Sequence, residues 1–223
     1  MSDDSFIREV DEELRQDRMR DLWKRYGSLL IGAAILVVLA TAGWRGWQYY
    51  AERRAAQAGD AFLAAIELSG QGKHDEAIAA LDELAARAHG AYPALARLRV
   101  AAELAAKGDD AAALQAYDAI AADTSVDETF RSVARLRAGL IAVGVESYDQ
   151  ARARLEPLAA AGVYYRHVAR EALGLAALAA GDDRAALGWF QAIADDADAG
   201  ADIRSRAAIM LDLLAGRGVS RSG

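Results

Sequence analysis

Apolar positions follow two rhythms along the chain. Over residues 48–215 they return every three or four residues, the period of helices that bury one stripe. Over Tyr26 to Trp47 the rhythm gives way to one apolar run, YGSLLIGAAILVVLATAGWRGW, with no charge from Gly27 to Trp44. In the periodic part, four segments place a small residue four positions before a large one and an aliphatic three further on. They are Ala77-Leu81-Leu84, Ala113-Tyr117-Ile120, Ala151-Leu155-Leu158 and Ala186-Phe190-Ile193, with starting alanines 36, 38 and 35 residues apart. Each follows a polar turn: GQGKHDE, KGDDA, VGVESYDQ and AGDDRA, in that order. Asp and Gly there can cap the next helix and end the previous one.

A second helix class alternates with the first, over residues 91–106, 128–142, 164–180 and 202–215. Its alanines, Ala96, Ala134, Ala169 and Ala207, stand 38, 35 and 38 residues apart, the first two in an identical Ala-Arg-Leu-Arg string. Two helices per unit at this period predict a tetratricopeptide-like helical-hairpin solenoid over residues 48–215. The expected fold is all-α.

The run from Tyr26 to Trp47 predicts a transmembrane helix. Its 22 residues, at about 1.5 Å each, would extend about 33 Å, against a hydrocarbon core of about 30 Å. Trp23 and Tyr26 on one side and Trp44 and Trp47 on the other are placed as membrane-interface anchors. Lys24, Arg25 and Arg45 flank them. A buried core helix and a cleavable signal peptide, with Ala40-Thr41-Ala42 as its cleavage site, are the alternatives. Against cleavage stand the leader's eight acidic and six basic side chains over residues 1–28, and the aromatics beyond the cut. The Lys and Arg excess before the run favours a cytoplasmic N-terminus. Residues 1–25 then form an amphipathic charged leader, with Phe6, Ile7, Val10, Leu14 and Leu22 largely on one stripe, and residues 216–223 a flexible tail.

Charge and chemistry narrow the function. A net charge of −7 excludes an extensive nucleic-acid surface, which needs clustered cations. There is no cysteine, and His74, His89 and His167 lack metal-ligand spacing. The Asp pairs at 109–110, 182–183 and 195–196 fit capping better than acid/base dyads. No cofactor, metal or catalytic residue is expected. Binding in a two-helix solenoid falls on the concave face, and arginines recur there in pairs: Arg97 and Arg99, Arg131 and Arg135, Arg166 and Arg170, Arg204 and Arg206. They make either an acidic-peptide groove or salt bridges to neighbouring helices. Tyr92, Phe130, Tyr164 and Tyr165, at the starts of those helices, are placed between core and binding rim.

The leader EVDEELRQDRMRDLWKRYG (9–27), the apolar run, the Gly43-Trp44-Arg45-Gly46-Trp47 string and the alanine-rich repeats together resemble the YfgM-like family of bacterial ancillary SecYEG translocon subunits. The resemblance implies a single-pass inner-membrane protein with a cytoplasmic N-terminus and periplasmic repeats. Its implied partners are the SecYEG translocon, a membrane-anchored periplasmic chaperone of prolyl-isomerase-like type, and emerging secretory chains. The implied role is a membrane-tethered interaction module that helps pass secreted proteins to periplasmic chaperones. A scaffold for another envelope complex, in cell-wall or division machinery, is the alternative.

Overall fold

The computed structural model describes residues 3–219, except for the side chains of residues 3–23, 28, 30, 33 and 34. The apolar stripe expected in the leader, the Trp23 anchor and the last four tail residues lie outside what is described. The chain divides into two compact units, residues 1–56 and 57–223.

The first unit is helical throughout its described part, within α1 (Asp3–Gly70). Here the membrane-span expectation is corrected. Among the described residues no helix is long and apolar enough to cross a membrane. Tyr49 and Tyr50 carry Arg53 and Arg54 over their rings at 4.5 and 4.3 Å. Tyr26, Trp44 and Trp47 are exposed, and the anchoring role given them together with Trp23 goes with the span. So do the bilayer as a partner and the single-pass inner-membrane location with periplasmic repeats.

The second unit is the expected solenoid. The end of α1 pairs with α2 (His74–Arg87), and α3 (Tyr92–Ala106) with α4 (Asp110–Ala122). Next come α5 (Glu128–Val145) with α6 (Tyr148–Leu155), α7 (Arg166–Ala179) with α8 (Asp183–Ala194), and then α9 (Ala201–Gly216). The helices α3, α5, α7 and α9 pack side by side as one row.

One contact recurs in each hairpin. The large residue of the second helix (Leu81, Tyr117, Leu155 or Phe190) is buried, and so is a small residue of the first helix (Ala65, Ala101, Gly139 or Gly174). Each small residue stands 12 positions before the alanine that opens the next helix pattern. The fit leaves no room: a Cβ on Gly139 would lie 2.6 Å from Leu155 Cγ, and one on Gly174 would lie 2.7 Å from Phe190 Cζ. Ala96, Ala134 and Ala169, five residues earlier on the same helices as Ala101, Gly139 and Gly174, are also buried, as is Ala207 on α9.

The turns repeat as well. Asp109 N donates to Leu104 O at 3.0 Å, and Asp182 N to Ala177 O at 2.9 Å. This return needs a left-handed residue, supplied by Gly108 and Gly181 at φ 80° and 77°. The Asp109 and Asp182 side chains then accept from Ala112 N and Ala185 N, capping α4 and α8. The third hairpin departs from this scheme. The expected turn over VGVESYDQ shrinks to Glu146-Ser147, because α5 runs on to Val145 and Ser147 opens α6 in a reciprocal capping box with Gln150. The α6 ladder stops at Leu155, because Pro157 has no N–H to donate; a 3-10 turn, Glu156–Leu158, continues and still buries Leu158.

The Gly139→Ala change gains helix propensity but drives a methyl into Leu155. A net loss of about 1–2 kcal/mol is expected, read as a fall in thermal midpoint of several degrees by circular dichroism. An unchanged midpoint would show that the hairpin has slack at this contact.

Candidate interaction surface

Several of the paired arginines sit where the second helix of a hairpin ends. Arg97 Nη1 reaches Asp123 Oδ2 at 2.7 Å, beside the last turn of α4. Ser125 and Arg97 together hold the Asp123 carboxyl down at about 2. Arg131 and Arg135 both pair with Glu128, at 2.5 and 2.6 Å. The hydrogen bond from Arg135, then that from Ser132, keeps the Glu128 carboxyl below its ordinary range.

At the far end, Arg166 Nε, His167 Nε2 and Arg170 Nη1 converge on Asp196 Oδ2 at 2.8, 2.9 and 2.9 Å. The Arg166 hydrogen bond is the main reason the Asp196 carboxyl lies far below its usual range, despite the opposing effect of burial. Arg170 also donates to Ala159 O and Ala192 O, and Arg166 Nη2 reaches Asp198 at 3.0 Å. Cations at helix C-termini satisfy orphan carbonyls and oppose the helix dipole. Of the two alternatives left by the sequence, these contacts are those of the salt-bridge reading. Arg206 pairs with Glu171 at 2.6 Å. Arg204 is exposed and forms no ion pair with the described side chains.

Arg99 leads to a group that sequence reasoning missed. Its Nη2 donates to Ser69 Oγ at 2.7 Å, and its Nε lies 2.5 Å from Glu103 Oε1. Glu103 is 1% exposed, the one buried charged residue among those described. Its Oε2 meets His74 Nδ1 at 2.7 Å. Burial pushes this carboxyl up; hydrogen bonds with His74 and Ser69 and the charge of Arg99 outweigh it, and the net direction is down. The corresponding positions of α5, α7 and α9 hold Ile141, Ala176 and Leu214. A break in an aliphatic register was the available signal.

The aromatics separate. Tyr92 packs against Phe62, ring centres 6.4 Å apart, and Phe130 packs on the cluster around Tyr117 and Ile120. Tyr164 is 86% exposed and meets Tyr165 edge-on at 5.0 Å, while Tyr165 joins the cluster around Leu158 and Leu173. Among the described residues no group of three or more His, Asp or Glu could hold a metal ion. No cofactor-binding or catalytic arrangement is built by these contacts.

A family model described as tetratricopeptide repeat-like domain matches residues 20–216. The chain belongs to that family. It is also 31% identical, over 167 residues, to the ancillary SecYEG translocon subunit of Escherichia coli (strain K12). That match covers 74% of this chain and 79% of the relative. The resemblance read from the leader and repeats therefore holds for this tetratricopeptide repeat-like chain, although the transmembrane part of the expectation does not.

The Glu103 cluster carries a stability prediction. Because its carboxyl is lowered in the folded state, its contribution is present above the unfolded carboxyl value, about 4.3. It is lost as pH falls through the lower folded value. Glu103→Ala leaves the Arg99 and His74 donors short of an acceptor, with an expected cost of about 2 kcal/mol at neutral pH. The gap between wild type and variant should close as urea denaturation is repeated toward pH 2. A gap that persists unchanged at that pH would assign the loss to packing alone.

Proposed function

We propose that the chain is a protein–protein interaction module whose partner is a SecYEG translocon. The observation that supports this reading most is the similarity to the ancillary SecYEG translocon subunit over three quarters of the chain. The repeat fold agrees with it, since rows of paired helices present long side-chain surfaces to other proteins. The membrane-tethered handover to a periplasmic chaperone that the resemblance implies does not carry over, because no helix among the described residues is long and apolar enough to cross a membrane.

The test is recovery of the affinity-tagged full chain from its own cells after brief amine crosslinking, with SecY detected by immunoblot. SecY should co-purify with the chain and not with a tagged control of similar charge. Absence of SecY while a different complex is recovered would overturn this partner.

A further inference from the structure

One side of α9 is open where the same side of the earlier first helices is closed. On α5 the close-contact residue Gly139 and, three positions on, Ala142 are buried; on α7 so are Gly174 and Ala177. The equivalent positions of α9 are Asp212 and Ala215, and both are exposed. Among the described residues no second helix follows α9 to cover them. Spacings of three and four put Ala201, Arg204, Ser205 and Ala208 on the same stripe, and all four are exposed as well.

A second helix of the usual kind does not suit this stripe. The large side chain that sits on Gly139 or Gly174 would here land on Asp212 and strip water from an unpaired carboxylate. The stripe instead complements itself. Arg204 and Asp212 form no ion pair with the described residues, and each lies four positions from Ala208, in opposite directions. Two copies of α9 laid antiparallel about a two-fold axis at Ala208 set Arg204 of each against Asp212 of the other, about 6 Å along the helix on either side of the axis. Nearby charges are engaged elsewhere: Arg206 with Glu171, Arg217 with Asp183, and Asp198 with Arg166. Asp202, one turn before Arg206, acts on that guanidinium. Small side chains at 201, 205, 208 and 215 let two helices approach to about 8 Å. Ile209, three before Asp212 and four after Ser205, is exposed at the edge of the stripe.

We propose that a second copy of this chain covers the stripe, in an antiparallel α9–α9 contact with two Arg204–Asp212 pairs around Ala208. This goes beyond the SecYEG reading and does not depend on it. The charge order decides the occupant: a positive, a small and a negative side chain at equal steps match their own reverse. Because each copy uses the same patch, the contact closes at two copies and does not propagate. One helix pair is a small interface, so the dimer is weak, with a dissociation constant of about 10–100 μM.

The chain has no cysteine, so Ala208→Cys places a single thiol on the axis. A disulfide forms there if the two Cα atoms come within about 7 Å. The full chain carrying Ala208→Cys, mildly oxidised near the expected dissociation constant, should link into dimers about fivefold or more faster than Arg184→Cys on exposed α8 surface. Adding Arg204→Asp or Asp212→Arg to Ala208→Cys sets like charges together and should slow linking about fivefold. The two changes combined in one chain should restore the rate. So should an equimolar mixture of the two single-charge variants, whose stripes complement each other. Circular dichroism checks that each variant keeps its helix content, as changes at exposed positions should. Linking of Ala208→Cys no faster than Arg184→Cys would overturn the proposal. So would a rate that ignores the single charge changes, or one that neither the charge swap nor the mixture recovers.

Discussion

The repeat domain depends on one contact, a small residue of the first helix under a large residue of the second. Gly174 under Phe190 and Gly139 under Leu155 show how little space it leaves. Close approach brings the two helices of a hairpin near enough to bury the aliphatics around them. Phe190 and Leu155 are fully buried although alanines make up much of the clusters around them. An alanine-rich chain has little apolar area per residue to hide, so its stability must come from short interaxial distances and dense packing. The glycine turns and Asp caps at 109 and 182 then set where each helix stops, which keeps that contact in register from one hairpin to the next.

Electrostatics completes the structure rather than opposing it. Arg97, Arg166 and Arg170 place their guanidiniums at helix ends and on carboxylates 26 to 30 residues away. Such pairs tie the start of a hairpin's first helix to the end of its second, and much of the basic stripe is neutralised in doing so. What remains open on the row includes exposed aliphatic side chains, together with Arg137 and Arg204, which are exposed and form no ion pair with the described residues.

Much of this was legible in the sequence. The second helix of each hairpin could be read directly, because Ala77, Ala113, Ala151 and Ala186 each precede a large residue by four. The first helix was harder. The Ala-Arg-Leu-Arg strings draw the eye to Ala96 and Ala134, whereas the contact that matters lies five residues later, where one more alanine or glycine stands among many. The partners of the arginines could not be read locally, since ion pairs between residues so far apart leave no short-range spacing. Glu103 reads as one more solvated helix charge until its neighbours bury it. Pro157 was an available signal for the break in α6 that the Ala151-Leu155-Leu158 pattern passed over, and the shortened turn at Glu146-Ser147 depended on how far α5 packs. The run 26–47 shows the reverse: a hydropathy pattern suggested a span that the described residues do not sustain.

The most direct test of the central contact is a double-mutant cycle of Gly174→Ala and Phe190→Leu, measured by urea denaturation. The shorter leucine lacks the Cε1, Cε2 and Cζ atoms that the new methyl would strike. The account predicts that Gly174→Ala is costly in the wild-type background and nearly neutral in the Phe190→Leu background, a coupling of about 1 kcal/mol or more. Strict additivity of the two changes would mean that Gly174 and Phe190 do not set the hairpin's spacing, and would contradict the packing argument at its base.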